Sequence, residues 1–600
     1  MIVDAPVSQK TTYCSMSTMN RRSFLKQLGL TTAMGMAVPG QASEAVSEDV
    51  TDGLRTSEDF DTRLKVDDQW DQVVDVVVVG CGAAGMATAI EAHDSGLDVL
   101  IVERSPRSSH VPSTRLSAGI YQCPAINNGT ENLARYIAST YIPSGLSDWD
   151  AGTMDKTLQN FAYTWAKLAP ETYNWLRSLD PSFRFALFSL YTAPRFSFPG
   201  TASLNIGALI STYSRWKDFS KSSFNRPKEE KLNGEALFAC LRNGVESRKI
   251  KEIYGARVTG LHKNKKGRIC GVAATDESGS PLSQKIGARC GVVLATGGFG
   301  FNKELQASLL PAPGQDFWAE SGSPLNTGDG ILLGIRAGAQ LISSNCLFDR
   351  FAALLPQMHQ GVHVGALLDC IGKAHSILVD NHGRRFVSES QLSDTKHSFG
   401  FAQELLKLDL PTLSYPRAPM WFICDEERMR SGPLATLGEG SVVNGFVTWD
   451  KDNRIPVKKG WILKASTING LARLIADSPV NAGRMSETTL RKTVEQFNVW
   501  CETKVDRDFD RDPSTLLEIK KPPFYAMPVT LSVPFMGAGL ATDERRCVID
   551  WQNKPISGLF AAGEVAPVSR FLHDRGGHLS ECLVFGRALG QYLAQEPISL

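Results

Sequence analysis

Neither sign of charge dominates this 600-residue chain: 64 Lys and Arg stand against 63 Asp and Glu, a formal net charge of +1. Nothing in that balance points to nucleic acid or an acidic surface as partner. The twelve cysteines include no C-x-x-C pair and no C-x-x-C-H. That excludes the usual c-type haem attachment, leaves no zinc pattern and gives no metal site to assign. Long apolar runs are missing too. The longest candidate, Leu28 to Val38, is shorter than the roughly twenty residues that a bilayer requires and is dotted with glycine. The chain therefore does not read as an integral membrane protein. With 42% hydrophobic residues it can bury a large core and form two or more domains.

What is present is concentrated between Asp75 and Glu103. Val76 to Val79 is apolar and β-branched, as a parallel strand buried on both faces would be. It runs into Gly80-Cys81-Gly82-Ala83-Ala84-Gly85, then into an amphipathic helical segment, Met86 to Ser95, closed by Gly96. A second apolar run, Val99 to Val102, ends on Glu103 and Arg104. A G-x-G-x-x-G in this strand–turn–helix–strand setting predicts a dinucleotide site. Gly80 permits the tight turn, Gly82 admits a pyrophosphate, and Gly85 lets helix and strand pack closely. The helix N-terminus stabilises the phosphate charge, and Glu103 can accept from an adenosine ribose.

Ahead of this unit, Asn20-Arg21-Arg22-Ser23-Phe24-Leu25-Lys26 reads as a twin-arginine export signal. Cleavage is expected after Ala42, and 43–71 reads as a flexible leader outside the fold. Beyond it, Ser108 to Gly119 is polar and loop-like. Asp155 to Leu179 has helical periodicity, with Trp165, Leu168, Tyr173 and Trp175 facing a core. Asp180 to Glu230 is irregular, aromatic and basic, an insertion or a binding loop; the sequence leaves both open. Gly234 to Gly244 predicts a helix, and Tyr254 to His262, Arg268 to Asp276 and Lys285 to Ala295 predict strands. The last ends in Ala295-Thr296-Gly297-Gly298, small residues suited to a backbone lying against a cofactor.

From that motif onward the chain resembles the flavoproteins of the fumarate reductase and succinate dehydrogenase superfamily. The likeness is to the soluble branch with flavocytochrome c fumarate reductase, urocanate reductase and 3-ketosteroid dehydrogenase. It extends through Asn326-Thr327-Gly328-Asp329-Gly330, Gly383-Arg384-Arg385-Phe386 with Glu389, and Gly558 to Glu564. Arg575-Gly576-Gly577 and Phe585-Gly586-Arg587 close the set. The resemblance implies an α/β fold, a Rossmann-like FAD-binding domain with an inserted α+β cap. The FAD-binding parts would be 72–350 and 531–600, and the cap 351–530. It implies FAD held by Gly80, Gly82, Ala83, Ala84, Gly85, Glu103 and Arg104, with Ser113, Thr114 and Gly119 along the phosphates and isoalloxazine. Val258 would lie near adenine, Ala295 to Gly297 against the cofactor, and Asp329 and Glu564 on ribose or ribityl hydroxyls. Leu579 and Ser580, opening the last helix, would offer N–H groups to the flavin. The spacing from His110 to Gly119 departs from relatives with histidine-linked flavin, so the FAD is expected to be non-covalent.

The family's catalytic groups are replaced. Ser393 stands where fumarate reductases have a proton-donating arginine, Pro534-Phe535 where they have paired histidines, and Asp574 where an arginine clamps a substrate carboxylate. A dicarboxylate would lack its clamp, and Phe535 favours an apolar substrate. His573, Asp574 and Arg575, with His578, are the candidates to polarise a carbonyl and deliver a proton at the flavin edge. His359, His363 and Asp369 lie in the cap near the family's substrate groups. The resemblance then implies hydride transfer from flavin N5 to a C=C conjugated to a carbonyl in a small-molecule substrate. Desaturation of a steroid-like ketone, or a flavin carrier without small-molecule chemistry, are the alternatives. Export implies a periplasmic location and a separate cytochrome or quinol-linked electron donor.

The export reading has a direct check. Arg21→Lys with Arg22→Lys is expected to hold the precursor in the cytoplasm, because the transporter reads the arginine pair as an address. Fractionation and immunoblotting measure it, and a double variant that still reaches the periplasm would sink the reading.

Overall fold

Six consecutive buried residues, Val74 to Val79, lie at the centre of the molecule, in the strand Gln72–Val79. The computed structural model describes residues 65–66, 69–188, 206–213, 231–276, 284–310, 318–344, 350–390, 404–438, 440–443, 446–532, 535–571 and 576–596. The expected export signal, 1–42, lies outside the described residues.

Gln72–Val79 pairs in parallel with Val99–Glu103 on one side, Val76 opposite Val99. On the other side it pairs in parallel with Gln284–Leu294, Leu294 opposite Val79. Val74, Val77 and Val79 pack into one core cluster and Val76 and Val78 into another, so the strand has no polar face and its sequence does not alternate. Val99–Glu103 continues to Lys251–Tyr254. Gln284–Leu294 changes partner along its length. Its first half pairs antiparallel with Ile269–Asp276, its last residues parallel with Pro555–Ala561. That second pairing brings the far end of the chain beside the first glycine turn.

The helix after the turn, Ala83–Asp94, is buried almost all round rather than amphipathic. The C-terminal helix Gly577–Leu593 lies across its outer side. A Cβ on Gly586 would stand 2.7 Å from the Ala84 carbonyl oxygen, and one on Gly590 2.6 Å from that of Thr88. The small residues of both helices thus serve backbone-on-backbone packing.

A second sheet forms the cap. Its middle strand, Phe524–Ser532, is flanked by Arg350–His359 and Met420–Cys424, both antiparallel. Trp318–Ala319 and Leu463–Ala465 add to the ends of the same strand. The helices Ile468–Ala476 and Glu487–Thr503 cover one face with Leu471, Ile475, Leu490 and Phe497. The GRRF motif stabilises this cap. Arg385 bridges the buried Glu389 and Asp506, each at 2.8 Å. Arg511 reaches Glu389 at 3.3 Å and donates to the carbonyls of Ser376 and Lys373.

Three segments differ from the sequence reading. The helix expected over 155–179 is two helices, Lys156–Leu168 and Thr172–Leu179, joined by a 3-10 turn at Ala169–Glu171. Pro170 cannot supply the helical N–H, so the chain turns there. The region from Asp180 onward is not wholly irregular: Arg184–Phe188 and Ile206–Tyr213 join Ile120–Pro124 and Lys231–Leu232 in a four-stranded sheet. The leader enters the fold before residue 72. Lys65–Val66 pairs with His262 and Lys263, and the Trp70 ring meets His262 edge-on at 5.7 Å. Gly271 leaves the space that Trp70 fills; a Cβ there would be 2.2 Å from the indole.

Trp70→Ala is therefore expected to lower the unfolding free energy by about 3 kcal/mol, the low end for truncating a packed tryptophan. Chemical denaturation checks it. An unchanged midpoint would mean that the segment before Gln72 adds nothing to the fold.

Candidate functional site

The Gly80–Gly85 turn opens a cleft between the strand ends of the main sheet and the loops around Thr114, Thr296 and Asn326. Gly80 has φ +105°, and a Cβ on it would stand 2.4 Å from the Ala295 carbonyl oxygen. A Cβ on Gly85 would stand 2.1 Å from the carbonyl oxygen of Gly80. Both glycines are demanded by the protein itself. Gly82 is different: the nearest atom to its would-be Cβ is Thr114 Oγ1, at 3.7 Å. Its missing side chain leaves room in the cleft rather than relieving a clash.

Gly82 also caps the helix Ala83–Asp94 without a side-chain hydrogen bond. Met86 makes the first helical bond, to the Gly82 carbonyl, and the Ala83 N–H donates to Thr114 Oγ1 at 2.9 Å. The first-turn N–H groups of Ala84 and Gly85 precede that bond, the arrangement that favours a pyrophosphate.

At one end of the cleft sits Glu103, 5% exposed. Its oxygens accept from the N–H groups of Cys81 and Ser105, each at 2.9 Å, and His110 Nε2 lies 3.4 Å away. Burial opposes ionisation, but His110 and the two N–H groups outweigh it and hold the carboxyl at about 2. His110 packs edge-on against Phe238 and Tyr254. The histidine considered for a covalent link is thus a partner of Glu103.

Arg104 donates to Thr327 Oγ1 at 2.7 Å and lies 3.4 Å from Asp329. Asp329 is also gripped by Arg257 through two bonds of 2.8 and 2.9 Å. Burial works against its charge, yet the two arginines keep it below the usual carboxylate range. The sequence reading gave Asp329 to sugar hydroxyls and missed Arg257. An arginine within a strand next to Val258 carries no motif that would have flagged it. Val258 is buried and lines the cleft, as do Ala295, Thr296 and Gly297. Thr296 Oγ1 accepts from the Gly330 N–H at 3.2 Å, and Asn326 bonds Ser113 Oγ at 2.9 Å.

Glu564 lines the cleft further along and accepts from the Met536 N–H at 3.2 Å. Burial pushes it up to about 7. Beside it the sequence reading missed Glu320, which burial and the neighbouring Glu564 raise to about 8.

Gly119 is not among the residues that line the cleft. Its φ of +65° and bare Cα serve a backbone crossing, where a Cβ would stand 2.0 Å from the Asn233 carbonyl carbon. Ser580 does not open the last helix. That helix starts at Gly577, and the Ser580 N–H already bonds the Gly576 carbonyl at 3.0 Å. The N–H groups that precede this first helical bond are those of Gly577 to Leu579.

Of the catalytic candidates, Ser393, His573, Asp574 and Arg575 lie outside the described residues. Phe535 is buried and stacks on the His578 ring, with centroids 3.3 Å apart and planes at 17°. His359 packs edge-on against Phe301 and Phe446, and burial, with Arg104 nearby, lowers its basicity. His363 bonds the Leu355 carbonyl, and Asp369 is an exposed partner of Lys373.

Residues 75–577 match the family model described as FAD binding domain. Over 549 residues the chain is 24% identical to Probable fumarate reductase Ifc3 of Shewanella frigidimarina, covering 89% of this chain and 79% of that protein. Over 509 residues it is 23% identical to the vinyl phenol reductase of Lactiplantibacillus plantarum, covering 82% and 90%. The solved 3-ketosteroid delta1-dehydrogenase of Sterolibacterium denitrificans shares its fold, with a TM-score of 0.66 at 20% identity, covering 87% and 100%. The cleft fits the group these matches name. It offers space over Gly82, N–H groups at a helix start, and an ionised acceptor at the Glu103 end.

Glu103→Gln is expected to weaken FAD binding by roughly 1–3 kcal/mol, the cost of an imperfectly satisfied charged hydrogen bond. Fluorescence titration of the apoprotein measures it, and acid precipitation should release the FAD unlinked. The pH dependence has a fixed sign. Because the native carboxyl is depressed, its stabilisation is complete above its ordinary value of 4.5 and is lost as pH falls toward 2. The variant's melting deficit should therefore narrow from pH 7 to pH 3; a deficit independent of pH would refute the assignment.

Proposed function

This chain is a member of the FAD binding domain family, and on that premise we propose that it is an exported reductase of a C=C bond conjugated to a carbonyl in a largely apolar substrate. Its relatives are FAD-dependent oxidoreductases of C=C and CH–CH groups, and the enzyme class follows from them. Bound FAD supplies the hydride. The residues of this chain decide which alkene can meet it.

One observation carries the substrate reading, the stack of Phe535 on His578. A flat pair of rings at the start of the last helix offers an apolar face where the resemblance places paired histidines. Such a surface favours an aromatic or polycyclic enone, because stacking adds about 0.5–1.5 kcal/mol beyond area burial. It gives a dicarboxylate nothing in exchange for its lost hydration. The names of the relatives span both kinds, fumarate on one side and vinyl phenol on the other. Asp574 in place of the clamping arginine supports the neutral kind. A second negative charge beside a carboxylate in a cleft of low dielectric costs several kcal/mol.

His573 and Arg575 are the groups we assign to the substrate carbonyl, with a histidine suited to delivering a proton near neutrality. The Asn20–Lys26 signature supports export and a periplasmic site of action. Without C-x-x-C-H in the sequence, no attached c-type haem is expected, and the electron donor in this reading is a separate cytochrome or quinol-linked protein.

Anaerobic, dithionite-reduced protein offered fumarate and a neutral aryl or steroidal enone should be reoxidised rapidly only by the enone. Phe535→Ala should raise KM for the enone roughly tenfold with a smaller effect on kcat, as expected where uniform binding is lost. Fumarate reoxidising the wild type as fast as the enone would overturn the apolar-substrate reading. Reoxidation by neither, with reduction of the oxidised protein by a saturated ketone, would reverse the direction.

A further inference from the structure

The turn that follows Thr296 carries two carboxyl groups. A Cβ on Gly298 would stand 2.7 Å from the Glu564 carboxyl, and one on Gly300 would stand 1.8 Å from Glu320 Oε2. Each glycine clears the place of one carboxyl, so the sequence Gly298-Phe299-Gly300 is shaped around the pair. Neither carboxyl has an ion-pair partner among the described residues. Glu564 accepts from the N–H groups of Met536 and Gly298. Glu320 Oε1 accepts from Gly322 N–H at 2.5 Å, while Oε2 is buried with no hydrogen-bond partner. Glu320 is 2% exposed.

The other titratable groups around the turn are engaged elsewhere. Asp329 is held by Arg257 and Arg104, and His363 by the Leu355 carbonyl. His359 lies among Phe301 and Phe446, and the Lys303 stem runs past Gly361. Two buried carboxyls with no cation resist being ionised together. Their surroundings decide which one keeps the proton. Glu564 faces the cofactor cleft, where a sugar or ribityl hydroxyl can donate to it; Glu320 does not line that cleft.

Glu320 also spans the two halves of the molecule. Its N–H donates to the His363 carbonyl at 2.9 Å, and its carbonyl accepts from Gly365 N–H at 2.7 Å, both in the cap strand Val362–Leu367. Its side chain meanwhile lies on the cofactor turn.

We propose that Glu320, carried as the neutral acid on the Gly298–Gly300 turn, is a positioning residue for the cofactor. It confines the negative charge of the pair to Glu564, facing the cleft, and ties the cap strand to the turn. Ionising Glu320 would set a second charge against Glu564 and draw water toward the junction, weakening FAD binding and the join together.

The sign follows from the raised value of about 8. Below it Glu320 stays neutral with or without FAD, and affinity is independent of its titration. Above it the apoprotein loses the proton that the FAD-bound form retains, so affinity falls by up to tenfold per pH unit. Folding stability follows a different window. An acid raised from 4.5 to about 8 gives a contribution that is full below 4.5 and lost as pH rises through 8.

The test is FAD affinity of the apoprotein from pH 6.5 to 9.5, by flavin fluorescence, for wild type and Glu320→Gln. The amide keeps the acceptor for Gly322 N–H and cannot ionise. Glu564, raised to about 7, titrates in both proteins, so the difference between them is what reports Glu320. Glu320→Gln is expected to match wild type within about twofold at pH 7, and wild type is expected to fall progressively below it above about pH 8. Its melting temperature should gain on wild type between pH 5 and pH 8. A level wild-type profile would overturn the proposal without any variant. So would a Glu320→Gln profile that declines in parallel with wild type.

Discussion

Everything at the cofactor cleft depends on one place where backbone meets backbone with no room between. The carbonyl of Ala295 closes on Gly80, and that of Gly80 closes on Gly85. Strand, turn and helix can assemble only if both positions lack a side chain. Once they assemble, the helix start faces the space over Gly82, and the end of Gln284–Leu294 lies beside the turn. That strand in turn pairs with Pro555–Ala561, which brings Gly563 and Glu564 into the cleft from almost 500 residues away. The C-terminal helix completes the unit by packing Gly586 and Gly590 on the backbone of the first helix. A methyl group at Gly80, Gly85, Gly586 or Gly590 would separate elements that the cofactor must touch together.

The carboxyl groups around this cleft show how partners, rather than burial, set charge. Glu103, Asp329, Glu320 and Glu564 are all buried. The first two are ionised, because His110 and backbone N–H groups surround one and two arginines grip the other. The second two rise, because only N–H groups reach them. Desolvation is common to all four, so it cannot distinguish them; the presence of a cation does. Fixed charge thus sits on Glu103 and Asp329, while Glu564 in the cleft and Glu320 beside it outside the lining are the groups that titrate.

The parts that were legible in the sequence are those where one residue type answers a local demand. Gly80, Gly82 and Gly85 could be read because each glycine has a separate reason within six residues. The strands Ala256–Lys263, Ile269–Asp276 and Gln284–Leu294 were legible from apolar runs broken by turns. What was illegible depends on distant partners. Trp70 looked like leader because its reason is a hole at Gly271. The structural reason for Gly119 was hidden because nothing local reveals Asn233 crossing it. Arg257 and Glu320 look like ordinary strand and loop charges until the fold brings Asp329 and Glu564 beside them. The helix start was misread at Ser580 because Gly576, with φ +81°, supplies the cap from outside any side-chain pattern.

The same distinction separates the cofactor end from the chemical end. Cofactor contacts are made largely by backbone, and backbone demands leave glycine, small residues and strand endings in the sequence. In the function proposed above, substrate contacts fall to side chains on loops and in the cap. The GRRF motif shows how easily these are confused. Its Arg385 looks like an anion-binding residue, yet it is buried between Glu389 and Asp506, and its guanidinium lies over Phe497 and Phe509. Its charge is consumed within the cap, stabilising the helix Glu487–Thr503 against the sheet. A motif can persist for the shape of a domain while the groups that meet substrate change. In the function proposed above, Phe535 on His578 is such a change, one aromatic plane laid on another at the start of the last helix.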